Sequence, residues 1–173
     1  TQGEGSDNVG GFKAIEFEFQ SHAPMGAEIH VYKDRPLVTF GWSTDATLAK
    51  PPADFPDFTK IPSDQHIFSY SNRTFAPPRF DGDQTGGSPF VFFDDHAETM
   101  IISPAANFMT ASLHGDEKSG VSSGFVGPLS NLPAGFKHRT LIAFDHGINK
   151  TFQTWGDGVV DLLEVKRPAN DAD

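Results

Sequence analysis

From Phe12 to Phe19 the chain alternates. Ile15, Phe17 and Phe19 fall on one side and Glu16 and Glu18 on the other, the period of two that a half-buried strand requires. This predicts a strand with its apolar side in the core. Residues 28–32 and 37–42 flank the turn sequence Lys33-Asp34-Arg35-Pro36, and residues 89–93 and 99–103 flank Asp94-Asp95-His96-Ala97-Glu98. Each set predicts a hairpin, and further strands are expected at 107–113, 120–126 and 139–144. Ile15, Phe17, Phe19, Phe90, Phe92, Ile101, Leu141 and Ala143 are expected to share one core.

Near the end the period lengthens to about 3.6 residues. Ile148, Phe152, Trp155, Val159, Leu162 and Leu163 share one helical stripe, with Asn149 standing where a cap is expected. Gly156 and Gly158 weaken such a helix by roughly 1 kcal/mol each relative to Ala, so its stability is expected to come from docking. Between the early and later strands, residues 50–83 form a Pro-rich passage too long for a hairpin loop. Its aromatics, including Phe55, Phe58 and Tyr70, predict an ordered covering layer, because a disordered linker carries few of them.

Seventeen Phe, 17 Gly and 13 Pro agree with many short strands broken by turns. The expected fold is all-β, a mainly antiparallel β-sandwich with a C-terminal amphipathic helix over about 148–165. A chain of 173 residues holds one domain of this kind, expected over 1–165, with 166–173 as a polar linker.

Charge then removes two classes of partner. Thirteen basic residues against 23 acidic ones give a net charge of −10, the wrong sign for nucleic acid or an anionic membrane surface. No apolar run is long enough to cross a bilayer. The chain begins at Thr1 without Met, the expectation for a processed chain or a fragment. The absence of Cys excludes disulfides, thiol catalysis and thiolate metal sites. Sequons at Asn72 and Asn149 point to glycosylation and secretion.

Candidate chemistry is sparse. Gly120-Val121-Ser122-Ser123-Gly124 matches a nucleophile elbow, with Asp145 and His146 downstream. The elbow needs a helix after its serine, and Phe125-Val126-Gly127-Pro128 cannot open one. Asp94 and Asp95, with His96 and Glu98, can offer oxygen ligands to calcium, as can Asp81 and Asp83, though polar hairpin tips are ordinary turn chemistry. No cofactor other than calcium is expected, and the seven His residues show no zinc spacing. Trp42 and Tyr70 are the candidates for stacking on sugar rings. Trp42 either stands at a rim or closes the sandwich.

The segments PFVFFDDHAETMIISPAANFMTASL, LPAGFKHRTLIAF, GINKTFQTWGDGVVDL and RPANDAD, taken in this order, resemble the region leading from an N-terminal β-domain into the catalytic barrel of secreted glycoside hydrolases related to the raffinose synthase and alpha-galactosidase group. The resemblance covers roughly the C-terminal half; the first 88 residues match by strand pattern alone. It implies a non-catalytic N-terminal domain that packs on a barrel, or on a companion chain carrying one, and shapes a cleft for plant or microbial glycans. It also implies that the two catalytic carboxylates lie downstream, so no residue here is assigned a catalytic role. The alternatives are an independent carbohydrate-binding module, and a structural or interaction domain without sugar affinity.

Overall fold

The computed structural model describes residues 1–20, 22–69, 82–85, 88–115, 120–127 and 129–166. The fold is an antiparallel β-sandwich followed by one helix. Strands β1 (Gln2–Ser6), β2 (Gly11–Gln20), β3 (Pro24–Tyr32) and β4 (Leu37–Thr44) form a meander. The chain then passes through β5 (Asp57–Phe58), β6 (His66–Ser69) and β7 (Gly82–Thr85). It continues through β8 (Phe90–Phe93), β9 (Glu98–Pro104), β10 (Ala111–Gly115), β11 (Val121–Phe125) and β12 (Lys137–His146), and ends in α1 (Ile148–Leu162). The large sheet has the order β1-β2-β3-β4-β12-β9-β8-β6, and the small one β5-β11-β10-β7.

Both expected hairpins form, β3 with β4 and β8 with β9. Strand β10 starts at Ala111 rather than 107, because Asn107 takes a positive φ of 55° and its carbonyl accepts from the N–H groups of Thr110 and Ala111. The long Pro-rich passage supplies β5 and β6, two strands that its proline content hides. Phe55 and Phe58 both set their rings edge-on against Phe40, so this stretch does cover the large sheet. Tyr70, Phe75 and Phe80 lie outside the described residues.

Each face of the large sheet has its own core. Toward the small sheet, Phe90, Phe92, Ile102 and Ile142 pack with Leu113 and Val121, while Trp42 and Met25 pack with Phe125 and Leu132. On the other face Leu37, Leu141 and Ala143 meet α1 through Trp155, Val159 and Leu162. Trp155 Nε1 donates to Ser103 Oγ at 2.7 Å, pinning the helix to β9. Gly158 marks the closest approach, since a Cβ there would stand 2.9 Å from Leu37 Cδ1 and 3.3 Å from Leu141 Cδ2. The glycine that weakens the helix in isolation is what lets it reach the sheet.

Three expectations are corrected. The eight residues expected to share one core do not. Ile15, Phe17 and Phe19 are 39%, 48% and 44% exposed, because the small sheet does not extend over β2. The other five divide between the two faces, Phe90 and Phe92 toward the small sheet and Ile101, Leu141 and Ala143 toward α1. Asn149 is not the cap. That position belongs to Gly147, at φ 93°, without a side-chain cap bond. The buried line of the helix runs through Thr151 and Gly158, leaving Ile148 and Leu163 on its exposed margin.

Candidate functional site

The nominal Ser122, Asp145 and His146 triad does not assemble. Ser122 lies within β11 of the small sheet, whereas Asp145 and His146 end β12 of the large one. Asp145 accepts a 2.7 Å bond from Lys150, which, with the backbone N–H of His146 and Thr154 Oγ1, holds its carboxyl below the usual carboxylate range. Ser122 Oγ donates instead to Asp54 Oδ2 at 2.6 Å. The carboxylate that receives this proton is shared with His114 and has a lowered pKa, which makes it a weak base, so the geometry is not that of an activated nucleophile.

Asp54 belongs to no sequence motif, because its partners lie 60 and 68 residues away. Its carboxylate also receives His114 Nδ1 at 2.8 Å. The His114 bond, with help from Ser122, lowers the Asp54 pKa against the opposing effect of burial. Backbone bonds from Phe55 N to Ser123 O and from Ser123 N to Pro56 O bring the segment alongside β11. The Asp54 carboxylate occupies the space above Gly124, where any Cβ would collide with Oδ1. This cluster fastens the Pro-rich passage to the small sheet.

Beneath β11 lies a second polar group. Thr140 Oγ1 donates to Ser123 Oγ at 2.6 Å, and Ser123 Oγ lies 3.2 Å from His138 Nε2. The Ser123 hydroxyl has one proton and two lone pairs, so beside the Thr140 bond it can serve either neutral tautomer of His138 at Nε2. Among the described residues Nδ1 is buried without a hydrogen-bond partner. His138 is 1% exposed among the rings of Trp42 and Phe125, and this burial drives its pKa down to about 4.

Of the two aromatic candidates, Trp42 closes the sandwich and does not stand at its rim. It is 4% exposed beneath Phe125 and Phe136, so no ring face is open to a sugar, and its assignment as a carbohydrate contact is corrected. Tyr70 and Asn72 lie outside the described residues. Asn149 is exposed in the first turn of α1. Asp94 accepts from the backbone N–H groups of His96 and Glu98, both at 2.9 Å, and Asp95 pairs with His66 at 2.8 Å. Among the described residues no three His, Asp or Glu side chains converge on a metal-sized space.

No protein-family model matches the chain, and no curated protein matches it in sequence.

The surface that calls for a functional explanation is on β2 and β3. Ile15 pairs with Ile29, Phe17 with Ala27 and Lys13 with Val31, so these apolar side chains share the face that farther along the sheet packs on the small sheet. Here it is bare: Ile15, Phe17, Phe19 and Val31 (46%) are all exposed. The opposite face of the same strands carries Glu16, Glu18 and Glu28 beside the C-terminal end of α1. There, with Lys137 and Arg139 of β12, they line a trough of about 390 Å3. Arg139 reaches Glu28 at 3.4 Å. The alternation that predicts the strand also delivers the two faces, but only the sheet order reveals that both are uncovered. No helix among the described residues is long and apolar enough to cross a membrane.

Proposed function

We propose that this chain is the non-catalytic N-terminal domain of a secreted glycoside hydrolase acting on plant or microbial glycans. It packs on the catalytic barrel and shapes the cleft. The observation that carries this reading is the uncovered apolar face of β2 and β3. Four large apolar side chains at 39–48% exposure on adjacent strands form the kind of contiguous patch that marks a protein interface. The resemblance supplies the occupant. Its described segments lie on β8, β9 and β12 of the large sheet, on β10 of the small sheet and on α1. In the large sheet they fall on the other side of β4 from β2 and β3, which leaves those two strands to meet the barrel. The exposed Asn149 side chain in the first turn of α1 is placed to carry a glycan in a secreted form.

Glycoside cleavage takes a carboxylic acid and a carboxylate facing each other across the scissile bond. Among the described residues the Asp54 cluster holds one carboxyl group and the Ser123 cluster none. The purified 173-residue chain is therefore expected to release no product from a panel of aryl glycosides and polysaccharides. Turnover that vanishes on replacing Glu16 or Glu28, the neighbouring carboxylates of the trough, would overturn the non-catalytic assignment.

A further inference from the structure

The trough on the helix-side face is built from two cross-sheet rows. One runs Glu16, Glu28, Gly41, Arg139 and the other Glu18, Gly26, Ser43, Lys137, each residue directly opposite the next on strands β2, β3, β4 and β12. With strands about 4.8 Å apart, each row spans roughly 14 Å. Gly26 and Ser43 occupy the middle of the Glu18 row, so its floor is low between charged ends, whereas the Glu28 side chain lies over Gly41 in the other row. Leu162 and Leu163 at the end of α1 and Ala105 after β9 add an aliphatic wall. The volume of about 390 Å3 falls in the roughly 300–1,000 Å3 range of small-molecule sites.

The polar groups are only partly occupied with each other. Glu28 is shared between Arg139 and His30, and Glu16 accepts from Thr1 Oγ1. Among the described residues the Glu18 carboxylate and the Lys137 ammonium have no ion-pair partner, and they stand at opposite ends of one row. The trough thus sets acceptors at one end and donors at the other, with the Ser43 hydroxyl between them and aliphatic surface alongside. Mixed charge disfavours a polyanion or a polycation. A ligand whose hydroxyls both donate and accept, and whose C–H faces are apolar, satisfies every part of it.

We infer that this trough binds a neutral oligosaccharide along the Glu18 to Lys137 row, giving the domain a glycan contact on the face opposite its docking surface. This deepens the hydrolase-domain reading and rests on it for the ligand class. The site uses carboxylates and amines over a low floor, and so needs no exposed aromatic ring.

The test is NMR titration of the 173-residue chain with raffinose, maltotriose, cellotriose and xylotriose, using triglycine as a dipolar control. At least one saccharide is expected to shift the amides of Gly26, Gly41 and Ser43. Glu18→Gln, which removes a charged acceptor, and Ser43→Leu, which fills the floor, should each weaken that binding at least about tenfold without moving the melting temperature of the free chain. The inference is overturned if no saccharide shifts these amides, if both variants bind like the parent, or if triglycine binds and the saccharides do not. Val31→Glu, on the opposite face, separates this outcome from the docking reading. It should leave the saccharide shifts unchanged while abolishing association with a barrel.

Discussion

Replacing Phe92 by Ala lowers the unfolding free energy by about 3–5 kcal/mol, whereas Phe19→Ala lowers it by roughly 1–2 kcal/mol. Both residues belong to alternating, Phe-rich strands, and sequence alone ranks them equally. Their surroundings differ. Phe92 is fully buried in the cluster where β8 and β9 meet Leu113 and Val121 of the small sheet, so truncation loses the transfer free energy of the ring and leaves a cavity in a closed interior. Phe19 is 44% exposed near the end of β2, where the removed ring leaves open surface and part of its area is already in water. Denaturant midpoints of the two variants measure the difference directly. Equal losses would mean that β2 is covered in the isolated chain and that the bare face is not bare.

The second large effect is on acid stability. His138 titrates near 6.5 in an unfolded chain but is held down to about 4 in the fold by burial. Between these values the unfolded chain carries a proton that the folded one refuses. This group therefore contributes nothing to the pH dependence above about 6.5, and stability falls as pH drops from there to about 4. At about 1.4 kcal/mol per unit the loss across the window is on the order of 3 kcal/mol. His138→Gln retains an amide for the Ser123 hydroxyl and should flatten the curve over that window. Asp54 acts lower on the scale. Its carboxyl pKa is lowered, so the stability it contributes is present above the ordinary carboxylate range and is lost as pH falls through its folded value. The variant should keep that second, more acidic loss. Chemical denaturation at successive pH values separates the two, and an unchanged slope between pH 6.5 and 4 in His138→Gln would show that the imidazole is not held neutral by burial.

Much of the architecture follows from local pattern, because strand period and turn chemistry act within ten or so residues. The 33–36 and 94–98 turns fix both hairpins without reference to the rest of the chain. What local pattern cannot supply is which faces are covered. The period of two in β2 correctly separates Phe17 from Glu16, but whether Phe17 is buried depends on where the small sheet stops, and that is set by the distant pairings of β11 with β5 and of β10 with β7. The Asp54 cluster was illegible for the same reason: Asp54 sits between Ala53 and Phe55 in a Pro-rich passage, and only the fold shows that it lies over Gly124. Trp42 shows the converse. Its place at a strand end left two alternatives open, and burial beneath Phe125 and Phe136 decides between them.

The most direct test of the domain assignment is side-chain footprinting with hydroxyl radicals, comparing the chain as it occurs in its native source with the same 173 residues expressed alone. The expected result is strong labelling of Ile15, Phe17, Phe19 and Val31 in the isolated chain. In the native preparation the same four should be protected, within a larger species that carries glycosidase activity, as one polypeptide or with a companion chain. A native species no larger than the isolated chain, with these four residues labelled equally in both, would contradict the account.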